Sequence, residues 1–343
     1  MDEFRVAWCS WLERLGCFPA KFTTLGTGNS RAREQLRRLD VLEEGAVEAL
    51  LTEFAPEVVI SAVVERDPDA AARDPERTRQ LNVRVPVLFA ELCAASGMVF
   101  VHVSTTCTSP PPPTPSPPLS QDYVFDGGAA SSNLPPYDVD APMHPLNFYG
   151  ETKRDAEVAV LAVQGARLLI LRVPVLFAAD SEALKESASL VVAKALLSRE
   201  PVLVDNWGSR FPTLVDDCAV VLRGLIALRI RMPADAPATI LHCSSPMRIT
   251  KYQLVALMAT ILGVDSSLVH AEDQPPKGEP RPRDTQLDCA RTWLALGHGH
   301  AFTPLEEGMA RALVRFSAQF KAAAKPPRAV PSFLTAEAMR IEL

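Results

Sequence analysis

Apolar positions along this chain follow two alternating patterns. Stretches with helical spacing lead into short, continuous apolar runs, and the pairing repeats. EEGAVEALLTEFA (43–55) has helical spacing and is followed by PEVVISAVV (56–64), a β-branched run that reads as a buried strand. TRQLNVRVPVLFAELCAASG (78–97) predicts a helix that ends at Gly97, and MVFVHVS (98–104) a second strand. KRDAEVAVLAVQG (153–165) predicts a helix stopped by Gly165, and ARLLILRVPVLF (166–177) a third strand. Strands apolar along their whole length are covered on both faces, so the alternation predicts an open, mostly parallel α/β sheet.

From about residue 178 the pattern becomes more helical and less regular. ITKYQLVALMATILG (249–263) predicts an amphipathic helix capped by Gly263, and TPLEEGMARALVRFSAQFK (303–321) predicts another. The tail AAAKPPRAVPSFLTAEAMRIEL (322–343) loses periodicity and reads as a peripheral arm. One tract breaks the order. TSPPPPTPSPPLS (108–120) holds seven prolines in 13 residues, which excludes helix and central strand and leaves an extended loop. It reads either as a ligand for a proline-recognising domain or as a surface insertion or unspliced intron, and the second reading is preferred. It directly follows a strand end, where ligands sit in such sheets.

Composition narrows the class. With 343 residues, 48% hydrophobic and 22% charged, the chain is a soluble globular protein with room for two modest domains. Its net charge of -6 argues against nucleic acid or an anionic membrane as the main partner. No apolar run is long enough to span a bilayer, and no secretory signal follows Met1. Seven cysteines without CxxC spacing indicate reduced thiols and a cytoplasmic setting. Six histidines without an HxxxH pair give no indication of a metal site.

Candidate chemistry centres on NFYGETK (147–153). Tyr149 and Lys153 are spaced i, i+4 at a helix start, so both project from one face. A phenol titrates near ~10, and an ammonium one turn away favours the phenolate. The pair suits proton transfer, and the lysine suits holding ribose hydroxyls. A hydroxyl at a neighbouring strand end would polarise a carbonyl. Thr105 is the choice among Ser104, Thr105 and Thr106, with Ser120 a rival beyond the proline tract.

Several motifs in order carry a family resemblance: VST…DYVFDG, PLNFYGETK, LRVPVLF, WGSRFPTLVDD (207–217), ITKYQ and RPRDTQLDC (281–289). Together they resemble the extended short-chain dehydrogenase/reductase superfamily. The branch is the one shared by dTDP-4-dehydrorhamnose reductase and the regulatory beta subunit of methionine adenosyltransferase. ERDPD (65–69), WGSRFPT and RPRDTQLDC resemble the beta subunit more. The resemblance implies a doubly wound, Rossmann-like sheet and an NADP(H) site. Asn29, Ser30 and Arg31 would face the 2′-phosphate, Asp40 and Val41 the adenine. Ala62 and Arg66 would follow a central strand, while Tyr149, Lys153 and Leu176 would line the nicotinamide end. Ala62 and Leu176 read equally as core, and Arg31 and Arg66 as solvated surface charges.

One part of the family pattern is absent. Such folds begin with a strand and a GxxGxxG loop at a helix N-terminus. This chain begins MDEFRVAWCSWLERLGCFPAKFTTLG, where WLERLG reads as the end of the first helix. The first strand and the glycine loop are therefore expected to be missing, through truncation or loss. Gly26-Thr27-Gly28 reads as a turn, not a phosphate cradle. The expected organisation is a Rossmann-like domain of residues 1–177 plus about 205–242, and a smaller domain of about 178–204 plus 243–320. Residues 321–343 would form the arm. The implied function is a non-catalytic regulatory subunit that binds the methionine adenosyltransferase catalytic subunit and tunes S-adenosylmethionine synthesis, its NADP(H) site weak or lost. The alternative is an NADPH-dependent nucleotide-sugar reductase.

Overall fold

The computed structural model describes residues 4–9, 22–28, 36–65, 68–105, 134–181, 183–275 and 281–323. The first half builds a sheet from β1 (Phe4–Cys9), β2 (Phe22–Gly28) and β3 (Leu36–Arg38), then α1 (Ala46–Phe54) and β4 (Val58–Ser61). Next come α2 (Pro68–Arg73), α3 (Pro75–Arg79), a π-helical turn (Gln80–Arg84), α4 (Val85–Ser96) and β5 (Val99–Thr105). After the proline tract follow α5 (Phe148–Leu161), β6 (Arg167–Val173) and β7 (Leu176–Phe177). The rest comprises β8 (Val202–Asp205), β9 (Ser209–Arg210), β10 (Thr213–Leu214), α6 (Val215–Arg231), β11 (Thr239–His242), β12 (Ile249–Thr250) and α7 (Lys251–Leu262). Last come β13 (Val269–Glu272), α8 (Ala290–Leu296), α9 (Leu305–Leu313) and α10 (Ser317–Ala323).

Seven strands form one parallel sheet in the order β11-β6-β5-β4-β1-β2-β3. The strand order reverses between β1 and β4, which opens a crevice at their carboxyl ends. The inner strands β4 and β6 are buried along nearly their whole length, as continuous apolar runs require. One face carries Val59, Phe100, Leu168 and Ile170 against α1 and α4. The other carries Ile60, Val101, Leu171 and Val173 against α6. A third core gathers Val202, Val204, Val255, Met258, Met309 and Phe316 among α7, α9 and the β8–β13 pair.

The predicted sheet is the one observed, with corrections inside it. The first strand is present: FRVAWC pairs with β2 on one side and β4 on the other, Val6 opposite both Thr24 and Val58. Its six residues lack the flanking repeat that marked the other strands, so only pairing on both edges identifies it. Gly26–Gly28 ends β2 and is not a turn. The 166–177 run divides at Pro174, which lacks the N–H a continuing ladder needs. The 303–321 helix is interrupted by a 3-10 turn at Val314–Phe316. Two glycine stops fall where expected, Gly97 (φ 68) closing α4 and Gly263 (φ 65) closing α7, both left-handed, while α5 ends at Leu161 with Ala162 as its cap, before the expected stop at Gly165.

Candidate functional site

The Tyr149–Lys153 pair sits in the first two turns of α5. Asn147 caps that helix, its Oδ1 accepting from Gly150 N at 3.0 Å. A second asparagine fixes the same end from outside. Asn82, in the π-helical turn, donates to Thr152 Oγ1 (3.1 Å) and to Glu65 O (3.2 Å), and accepts from Glu65 N (2.7 Å). Thr152 Oγ1 in turn donates to Tyr149 O at 2.8 Å. The π turn thus ties the loop after β4 to the helix that carries the pair. Nothing local in QLNVR signals this role, because both partners are remote in sequence.

Both members of the pair are buried, and Tyr149 packs against Ala71 of α2. Burial pulls the Lys153 ammonium down to about 8, and the Glu157 carboxylate one turn on restores only part of the loss. Glu157 is already engaged. Arg172 of β6 grips it with Nε (3.0 Å to Oε1) and Nη2 (2.7 Å to Oε2), with both side chains at most 2% exposed. Arg172 Nη1 donates to Val139 O (3.0 Å) and lies 3.3 Å from His242 Nε2. His242 Nδ1 faces Asp288 O at 3.0 Å, so the network assigns the proton to Nδ1 and leaves Nε2 as acceptor. Burial and the Arg172 charge push His242 down to about 3, consistent with a neutral ring. His102 of β5 is also fully buried and held well below the usual imidazole range, by burial and then by the Lys153 charge.

The remaining predicted site residues spread along the carboxyl edge of the sheet. Ala62 follows β4 and is buried in the core, and Leu176 opens β7, half-buried. Thr105 closes β5 opposite Val173. Asp40 and Val41 lie beyond β3, three strand positions from β4. At about 4.8 Å per strand the two groups stand roughly 14 Å apart. Asp40 there caps a turn, its Oδ1 accepting from Leu42 N at 3.0 Å, and Val41 packs on the core. Asn29, Ser30, Arg31, Arg66, Thr106 and Ser120 lie outside the described residues.

A second constellation joins three of the family motifs. Asp205 pairs with Lys251 at 3.3 Å and accepts from Trp207 N and Gly208 N. Arg248 donates to Ser209 Oγ (2.7 Å) and pairs with Asp284 (3.1 Å), while Ser209 N donates to Arg283 O. Buried Arg210 lies in the same place. WGSRFPT, ITKYQ and RPRDTQLDC are therefore neighbours in space, which their separation in sequence does not show.

A doubly wound sheet with a Tyr/Lys helix beside its switch point defines a class, and the comparisons agree. The profile of the RmlD substrate binding domain matches residues 21–108 and 118–317, and the chain belongs to this family, in the branch of the methionine adenosyltransferase 2 beta subunits. It is 37% identical to that subunit of Xenopus laevis over 295 residues, covering 85% of this chain and 80% of the relative. To the Bos taurus subunit it is 34% identical, with the same coverage. A dTDP-4-dehydrorhamnose reductase of Streptomyces griseus is 30% identical over 83% of this chain and 82% of its own length. Among solved structures, the fold matches dTDP-4-dehydrorhamnose reductase of Bacillus anthracis in complex with NADP. That TM-score is 0.71 at 17% identity, over 92% of this chain and 99% of the other. The profile omits residues 109–117, all within the proline tract.

The residues present fit a dinucleotide unevenly. The carboxyl ends of β3 to β5 offer the length and the Tyr/Lys end. After β1, at the switch point, the sequence runs Ser10, Trp11, Leu12, Glu13, Arg14 without the glycines that let backbone approach a pyrophosphate, and these residues lie outside the described ones.

Proposed function

We propose that this protein is a regulatory, non-catalytic subunit that binds a methionine adenosyltransferase catalytic subunit and modulates S-adenosylmethionine synthesis. The observation that carries the reading is the 34–37% identity to proteins named as that beta subunit over 85% of the chain. The lack of a GxxGxxG sequence after β1 supports it, because a reductase needs bound cofactor at every turnover. Its NADP(H) site is then weak or lost, with Tyr149, Lys153, Ala62 and Leu176 at one end and Asp40 and Val41 at the other. A smaller domain of about 178–204 plus 243–320 is supported by the third core, which draws most of its residues from those segments. The arm from 321 onward, mostly outside the described residues, is a contact for the partner, and the complex is cytoplasmic. No helix among the described residues is long and apolar enough to cross a membrane. Size-exclusion chromatography with light scattering, on this protein mixed with its own organism's catalytic subunit, tests the reading. A stable hetero-oligomer is expected, and two separate species well above micromolar concentration would overturn it.

The second reading is an NADPH-dependent nucleotide-sugar reductase, favoured by the buried Tyr149–Lys153 pair and by similarity to the Streptomyces griseus enzyme. In that case Tyr149 holds the proton for a carbonyl oxygen, Lys153 lowers its pKa and Thr105 orients the oxygen. NADPH oxidation with a nucleotide-4-ketosugar, abolished in Tyr149→Phe, would establish it.

A further inference from the structure

We propose that Ser61, His102 and Ser104 enclose ordered water beside Lys153, and that His102 is the positioning residue which keeps that lysine hydrated from inside the fold. This holds whichever function above is correct.

Ser61 ends β4 and is the register partner of His102 on β5, and Ser104 lies two residues further along. Side chains alternate along a strand, so His102 and Ser104 share a face with Phe100, and Ser61 shares that face with Val59. This is the face covered by α4 and α5. Each of the three is at most 1% exposed. Yet Ser61 Oγ, His102 Nδ1, His102 Nε2 and Ser104 Oγ have no hydrogen-bond partner among the described residues. Four such atoms on adjacent positions are out of keeping with a dry interior. A buried hydroxyl or imidazole without a partner costs roughly 1–3 kcal/mol, and contiguous polar groups of this kind are where internal water is held.

Lys153 lies on the helix above. Its ammonium is near enough to depress the basicity of His102. Among the described residues, the charged and titratable groups around it include His102 from β5 and, one turn to either side on its own helix, Tyr149 and Glu157, the latter bound to Arg172 of β6. The Glu157 carboxylate, shared with Arg172, cannot solvate the ammonium fully. Water held by His102 supplies hydrogen-bond acceptors on the sheet side. A neutral imidazole suits this role, since it can donate through one nitrogen and accept through the other.

A crystal structure of the whole chain at a resolution that shows waters is the first test. Water within hydrogen-bond distance of His102 and at least one of the two serines is expected, and a site closed over by apolar contacts would overturn the proposal. The second test follows the titration of Lys153 by NMR of the lysine side chain. His102→Phe removes the acceptors and should lower the Lys153 pKa further, by roughly one unit. His102→Gln, which can still hold water, should leave it near the wild-type value. An unchanged titration in His102→Phe, or equal shifts in both variants, would overturn the positioning role.

Discussion

Lys153 is held in an environment that opposes its charge. Its pKa falls from 10.5 to about 8 in the fold, chiefly through burial. That depression is equivalent to something on the order of 3 kcal/mol against the charged form. The unfolded chain binds the extra proton between about pH 8 and 10.5, so the penalty is complete below 8 and fades as pH rises through that window. Lys153→Met should therefore stabilise the fold at pH 7 by about 1–3 kcal/mol, and should abolish the gain in stability between pH 8 and 10. Denaturant unfolding at both pH values checks this, and a destabilised Met variant would refute it. The Tyr149–Lys153 pair was legible in the sequence because i, i+4 geometry is local. His102 and Asn82 were not, since their significance lies in partners tens of residues away.

Among the elements, α5 carries the site and three contacts set its position. Asn147 caps it, Asn82 holds its first turns to the loop after β4, and Glu157 fastens it to β6 through Arg172. Glu157→Ala leaves a guanidinium buried without its carboxylate and should cost about 3–5 kcal/mol, read as a large fall in unfolding midpoint. Asn82→Ala strands the Glu65 amide and loosens the turn, at about 1–3 kcal/mol. Hydrogen exchange should then rise in α5 and in the loop after β4 while β6 stays protected. An unchanged exchange pattern would mean that Asn82 does not position the helix. β1 is the converse case: FRVAWC has little identity as an isolated segment and becomes a strand by pairing with β2 and β4.

Across the whole molecule, two buried neutral histidines link stability to pH. His242 titrates normally at 6.5 and is pushed down to about 3 in the fold, and His102 is lowered for the same leading reason, burial. The unfolded chain binds more protons below 6.5, so stability falls as the medium is acidified from there toward about 3. Each histidine contributes up to about 1.4 kcal/mol per pH unit. His242→Gln should flatten the profile between pH 6.5 and 4 relative to wild type, and an identical slope would assign the acid sensitivity elsewhere.

The order of helices and apolar strands, the glycine stops of α4 and α7 and the Tyr/Lys helix were determined by the sequence alone. Each depends on neighbours within a turn or two, where periodicity, capping and backbone sterics act. The tertiary structure decided the rest: that Phe4–Cys9 is an inner strand of the sheet, between β4 and β2, and that Arg172, Glu157 and His242 form one buried network. It also brought three separated motifs together around Asp205 and Lys251, and set Ser61, His102 and Ser104 side by side. These depend on strand order and on which faces meet. Burial and pairing are properties of surfaces brought together by folding, and no local pattern encodes them.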